Sequence, residues 1–377
     1  MESRGTSPAF AVGPGEAPEL ARLFEREGPF VTVNLPTQAD IDNAAQRSLQ
    51  QWRPVRDELS DAGAPAAALD AIEALVPDAH LDGPSLMTVA DESEVVVSRA
   101  GTEVPSRPLW YYDSLAAVGP LVTWWQTSLP HVLVVADRTG ADITGVAPGG
   151  RSSTDTVGTD QGPHLRKVGP GGWSQRRFQE RAENNWDANA KAVAERTASV
   201  ADYIGARAVL VAGDVRALQF LRENLPERLV SLVRELDGAR GADGGTESFL
   251  EDARKQMATV AAEDTVAILG KFREEKGQRD RAVDGVPATI EALNAAAVDV
   301  LLVHDDPDDR RQVWFAPDGA LVALDPGTLK DYGVDQPGQG RLVDALIRAA
   351  FRTGGRVRMV PSTAVSDGAG AILRFTT

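Results

Sequence analysis

Residues 161–183 read QGPHLRKVGPGGWSQRRFQERAE, and no acidic side chain occurs from Gln161 to Gln179. Arg166, Lys167, Arg176 and Arg177 fall inside this run, and Arg181 follows it. The whole chain of 377 residues carries a formal net charge of -16, so the run inverts the sign locally. Clustered cationic side chains are the electrostatic footprint of nucleic-acid phosphate. Gly171 and Gly172 allow backbone conformations and close approaches that no other residue permits. Ser174 is placed to cap a following helix, whose free N–H groups and dipole also favour anions. The chemistry this implies is a basic finger able to enter a narrow RNA-lined space. An ordinary surface loop ahead of a helix would have the same composition.

The remaining chemical signals are weaker. There is no Walker A spacing, and no Gly-x-Gly-x-x-Gly stands between a strand and a helix. The four histidines, His80, His131, His164 and His304, are not spaced for a metal or a triad. His131 reads as structural and His164 as a loop residue. The acidic run HDDPDD (304–309) offers hard oxygen ligands, but with proline at its centre it reads as a solvated turn. Without any cysteine, disulfides, thiolate catalysis and cysteine-based metal sites are excluded. No metal and no cofactor is expected.

These residues need elements to position them. Hydrophobic residues make up 42% and charged residues 25%, an ordinary globular composition. Apolar strand patterns alternate with helical ones throughout, so the fold class is α/β in three α/β domains. The first spans 1–129, with a strand at 29–36, helices at 38–62 and 65–76, and three later strands. The second spans 130–240: a hairpin at 131–148, the basic tip loop 161–175, a long helix from Ser174 to Ile204, the strand RAVLVAGD, and a helix over 215–236. Phe178, Ala182, Trp186, Ala190, Val193, Thr197 and Val200 recur at helical spacing along one face of the long helix. DGARGADGG (237–245) is a linker. The third domain, 246–377, opens on a helix carrying Phe249, Leu250, Met257, Val260, Val266, Leu269 and Phe272. Its apolar strand is Val298–Val303. No apolar run approaches the roughly 20 residues of a membrane span, and no secretory leader is evident. A cytoplasmic location is expected, with neither membrane nor DNA as partner, since an acidic surface disfavours both.

GGWSQRRFQERAENNWDANAKAVAE followed by AVLVAGD resembles the middle domain of eukaryotic and archaeal class-1 peptide chain release factors. That domain carries a Gly-Gly-Gln-Ser tip, an Arg-Phe and a Glu on the emerging helix, and a strand ending in Ala-Gly. The matching residues are Gly171, Gly172, Ser174, Arg177, Phe178, Glu183 and Ala212-Gly213. AVDGVPATIEALNAAAVDVLLVHDD and the closing segment LIRAAFRTGGRVRMVPSTAVSDGAGAILRF resemble the same family's C-terminal domain. The likeness covers roughly residues 130–377. It is greatest to the bacterial release-factor-like family, whose relatives include the hibernation factor Balon and Vms-type release factors, and it extends to Pelota.

Two departures bear on function. Trp173 stands where the family's tip glutamine stands, and a tryptophan is a donor only, unable to hold water as an amide does. It can stack on a base, worth about 1–3 kcal/mol. Gln175, two positions on, is the alternative candidate for positioning water at a peptidyl-tRNA ester, with Gly171, Gly172 and Ser174 shaping the tip. No Asn-Ile-Lys-Ser stop-codon loop occurs in residues 1–128. The resemblance therefore implies a tRNA-mimicking translation factor that binds the ribosomal A site independently of the codon, on idle or stalled ribosomes, in hibernation or ribosome rescue. Arg166, Lys167, Trp173, Arg176, Arg177 and Arg181 would contact rRNA or P-site tRNA, and a translational GTPase such as elongation factor Tu is a possible deliverer. The SQRR sequence favours a second reading, a peptidyl-tRNA hydrolase or tRNA-cleaving rescue factor using Gln175. A third is an RNA-binding or interaction protein unconnected with ribosomes, since fold does not imply function.

Overall fold

The computed structural model describes residues 9–37, 43–102, 104–136, 140–148, 152–158, 186–236, 246–278 and 280–375. It is a mixed α/β structure, as the sequence predicts. The described residues gather into two compact units. The middle unit is drawn from Thr127–Asp264. The composite unit joins Phe10–Gln126 to Thr265–Thr377.

The composite unit begins with α1 (Pro18–Leu23), β1 (Phe30–Pro36), α2 (Ala44–Asp61), α3 (Ala66–Glu73), α4 (Ala79–Asp82), β2 (Ser85–Ala90), β3 (Val95–Gly101), β4 (Leu109–Asp113) and α5 (Gly119–Thr127). The four strands form an antiparallel sheet in the order β3-β2-β1-β4. Successive side chains of a strand face opposite ways. Val31, Val33 and Leu35 of β1 accordingly pack in one core with Trp52, Val55 and Leu59 of α2 and Leu69 and Ile72 of α3. Phe30, Met87, Val89 and Val97 join the other core.

The middle unit holds β5 (His131–Ala136), β6 (Gly140–Val146), β7 (Ser152–Gly158), α6 (Trp186–Ile204), β8 (Ala208–Gly213), α7 (Val215–Asn224), α8 (Glu227–Val230) and β9 (Val233–Glu235). Its sheet order is β7-β6-β5-β8-β9, with β5, β8 and β9 parallel. β5 and β8 are unbroken apolar runs because a parallel pair is covered on both faces. α6 turns Val193, Ala194, Thr197, Ala198 and Ala201 into the core with Leu218 and Leu221 of α7. The helix expected over 215–236 is instead two helices and a strand. Leu225 is extended ahead of Pro226, as a residue preceding proline prefers, and α7 stops there. Val233–Glu235 then pairs beside β8.

α9 (Thr246–Gln278) runs 33 residues. Phe249, Met257, Val260, Leu269 and Phe272 are buried as expected, whereas Val266 is 70% exposed on the helix's other side. After it come β10 (Ala282–Asp284), α10 (Val286–Asn294), β11 (Val298–Val303), β12 (Gln312–Phe315), β13 (Val322–Ala323), α11 (Pro326–Asp331), β14 (Gly338–Arg341), α12 (Leu342–Arg352), β15 (Arg356–Met359) and β16 (Ala369–Leu373). They make a mixed sheet β10-β16-β11-β15 and a small sheet β13-β12-β14. α12 lies in a single core with Leu20 and Leu23 of α1, Leu121 and Val122 of α5, and Leu293 of α10. The first third and the last third of the chain thus share their apolar interior. Val12 adds a further antiparallel bridge, exchanging N–H···O bonds of 2.9 and 2.7 Å with Val357 on β15. That contact covers an edge strand which would otherwise offer unpaired backbone.

Candidate functional site

The residues singled out for chemistry, Arg166, Lys167, Gly171, Gly172, Trp173, Ser174, Gln175, Arg176, Arg177 and Arg181, all lie in 159–185, outside the described residues. His164 lies there too, as do the first residues of the expected long helix. The structure does describe what holds both ends of this segment. β7 runs antiparallel to β6, and β6 antiparallel to β5, so β7 ends at the carboxyl end of β5 and β8. Gly158 pairs there with Gly140. α6 returns in the opposite direction, with Arg196 over Asp155 and Val200 over Gly145. The described elements on either side of 159–185, β7 and α6, therefore stop and start at one end of the sheet. Exposed Lys191 and Arg216 are described near that end, on α6 and at the start of α7.

Three local devices fix this frame. Asp155 on β7 is buried, and Arg196 of α6 donates Nε to its Oδ2 at 2.5 Å while Nη2 meets the same oxygen. Asp155 Oδ1 has no hydrogen-bond partner among the described residues. The pair joins the strand before the segment to the helix after it. Gly145 lets that helix sit close, for a Cβ there would stand 2.7 Å from Val200 Cγ1. Gly213 has φ 135°, and a Cβ there would stand 1.8 Å from the Ala136 carbonyl oxygen. The next residue, Asp214, donates its N–H to that oxygen at 3.1 Å and caps α7, accepting from the N–H groups of Arg216 and Ala217. The Ala-Gly-Asp that closes β8 is thus a backbone requirement at the end of the sheet where β7 also ends.

The Asp155–Arg196 pair is asymmetric. The Arg196 side chain is 36% exposed and that of Asp155 only 6%. Removing the arginine strands a buried carboxylate, whereas removing the acid frees a guanidinium that can rehydrate. Arg196→Met is expected to cost about 2–3 kcal/mol and Asp155→Asn about 1 kcal/mol. Urea unfolding of both variants checks the order; equal costs would count against it.

The other expected groups are placed plainly. His131 is largely buried, its Nδ1 2.9 Å from the Leu129 carbonyl, and burial pushes the imidazole below its ordinary range. It is structural, as expected. The HDDPDD turn is not wholly solvated. Asp305 pairs with buried Arg341, Asp306 lends that guanidinium its carbonyl, and Asp309 holds Arg311. The cation there is an arginine of the chain itself. Among the described residues no group of three His, Asp or Glu is arranged to hold a metal. None of the described helices is long and apolar enough to cross a membrane. Sequence reasoning missed β7 and with it Asp155; the signal available was the polar and β-branched alternation of SSTDTVG, with Asp155 and Val157 in the inward phase.

Comparison with known proteins agrees with this frame. Residues 130–278 match the family described as bacterial archaeo-eukaryotic release factor family 2. That segment of the chain is release-factor-like. The uncharacterized protein Rv2629 of Mycobacterium tuberculosis is 26% identical over 362 residues, covering 94% of this chain and 96% of that protein. Among solved structures, Pelota of Archaeoglobus fulgidus is 15% identical over 77% of this chain and 79% of its own, with a TM-score of 0.32. Dom34 of Saccharomyces cerevisiae is 11% identical over 78% of this chain and 80% of its own, with a TM-score of 0.36. At such scores the superpositions decide nothing, and the family match is confined to residues 130–278.

Proposed function

We propose, for a chain that is release-factor-like over residues 130–278, that it is a translation factor occupying the ribosomal A site without reading a codon. The observation that carries this is what flanks the basic segment with Gly171 and Gly172: β7 before it ends, and α6 after it sets out, at a single end of the middle unit's sheet. Projected from there, 159–185 would reach toward the peptidyl transferase centre, as the tip of a tRNA mimic does. Arg166, Lys167, Arg176, Arg177 and Arg181 would meet rRNA or P-site tRNA phosphates, and Trp173 would stack on a base. Idle or stalled ribosomes are the target, since no stop-codon loop is present in 1–128. Delivery by a translational GTPase of the elongation factor Tu type fits this reading. Gln175 beside Ser174 supports a second reading, in which the tip positions water and releases the peptide.

The test adds purified protein to 70S ribosomes carrying P-site peptidyl-tRNA and an A site without a stop codon. Bound protein and freed peptide are both scored. Binding is expected to fall with salt by about 0.7–0.9 in log K per log salt for each phosphate contact. Arg176→Glu with Arg177→Glu is expected to abolish most of it; unchanged binding would overturn the proposal. Peptide left intact makes the protein an occupant. Peptide release lost in Gln175→Ala makes it a hydrolytic rescue factor.

A further inference from the structure

The least ordinary chemistry among the described residues lies in the composite unit rather than the middle one. Asp344, in the first turn of α12, is 2% exposed. Its Oδ1 accepts the Val118 N–H at 2.9 Å, a contact between residues 226 positions apart. Its Oδ2 accepts from Arg341 Nη1 at 3.3 Å. Arg341 commits Nη2 to the Asp305 carboxylate and to the Asp306 carbonyl at 2.7 Å, and its buried Nε has no hydrogen-bond partner among the described residues. Two carboxylates therefore share one guanidinium. The space allows no addition, since a Cβ on Gly119 would stand 1.9 Å from Asp305 Oδ2.

We propose that Asp344 is a proton-operated clasp between the first and last thirds of the chain, holding the segment that enters α5 firmly when neutral and less firmly when ionised. The groups facing it from every side leave the ionised form short of compensation. Arg341 is divided between two acids. Arg348, one turn along α12, spends Nε and Nη2 on the Phe24 and Pro317 carbonyls. Arg26, which lines a small apolar cavity together with Asp344 and Arg348, is held by Asp91 and Glu94. Tyr111 of β4 lies with its ring 5.2 Å from the Arg341 guanidinium and is pushed above the ordinary tyrosine range by burial. Leu23, Phe24, Phe30, Leu115 and Ala116 complete the cavity wall, and their side chains carry no hydrogen-bond donor for an anion.

Burial raises the Asp344 carboxyl to about 7; Arg341 opposes this and Asp305 adds to it. The sign follows from linkage. The closed form binds the proton between the ordinary aspartate value and about 7, and the opened form does not. Closure is therefore favoured as pH falls through that window and loses the contribution as pH rises through it.

Deuterium exchange of the peptide around Val118 in the full chain, corrected for intrinsic rates, reads this directly. Protection is expected to be about tenfold greater at pH 6 than at pH 8. Asp344→Asn, which keeps the shape without the charge, is expected to show no such difference. Equal protection of the natural chain at both values overturns the proposal, as does a tenfold difference that persists in the variant. Should that variant fail to fold, carbon-13 titration of the natural Asp344 carboxyl decides: a midpoint at about 7 supports the clasp, and one at about 4 overturns it.

Discussion

Gly213→Ala is expected to lower the thermal midpoint of the middle unit by roughly 10 °C. Two independent costs combine at this residue. Its φ of 135° lies where L side chains seldom go, a strain of order 1–3 kcal/mol. The added Cβ would also stand 1.8 Å from the Ala136 carbonyl oxygen, and backbone cannot swing aside as a side chain can. That oxygen accepts the Asp214 N–H, so displacing it also loosens the cap of α7. A total of about 3 kcal/mol or more follows. Gly205, after α6, is the control. It has φ 64° and an added Cβ would meet nothing within 4 Å, while Ala206 N–H bonds back to the Ala201 carbonyl as in a helix-ending turn. Gly205→Ala should cost only about 1 kcal/mol. Thermal unfolding of the full chain, with exchange of β8 amides as the local readout, compares the two. Similar shifts would show that the close approach to Ala136 contributes nothing.

The same glycine shows how far the sequence could be read. AVLVAGD was legible as a strand because a doubly covered parallel strand is an unbroken apolar run, and its closing Ala-Gly carried part of the family resemblance. Why a glycine stands there was not legible, because the reason is a carbonyl 77 residues away in sequence at Ala136. Elements with strong local signals, such as β1, β5 and β11, lie where expected. β7 did not, for its residues are polar and only its pairing with β6 makes it a strand. Val233–Glu235 was absorbed into a helix because its helical spacing outweighed the stop at Pro226. The basic segment is the clearest chemical signal in the chain, yet the side chains that join the elements on either side of it, Asp155 and Arg196, are 41 residues apart in sequence. The acidic turn at 304–309 was misjudged for a related reason. A run of carboxylates looks solvated until the fold brings a buried arginine to Asp305.

That arginine supplies the second large effect. Arg341→Met is expected to destabilise the composite unit by about 3–5 kcal/mol, the cost of leaving buried charge without its partner. Arg341 is 7% exposed and Asp344 2%, and Asp305 is close to both, so its loss leaves two carboxylates facing each other in an apolar surround. Arg311→Met is the comparison. Arg311 grips Asp309 with several bonds of 2.7–3.1 Å, but half of its side chain is in solvent. An exposed pair of that kind contributes about 1 kcal/mol or less. Distance alone would rank the two arginines the other way, since Arg341 reaches Asp344 only at 3.3 Å; burial decides. Pairing the loss with Asp344→Asn should restore part of the stability, because one of the stranded charges is then gone. Guanidinium unfolding of the three variants at pH 8 measures this. At pH 6 the Arg341→Met cost should be smaller, because Asp344 is then protonated and only Asp305 is left unpaired. A cost that does not change with pH would mean that Asp305 alone carries the charge in this cluster.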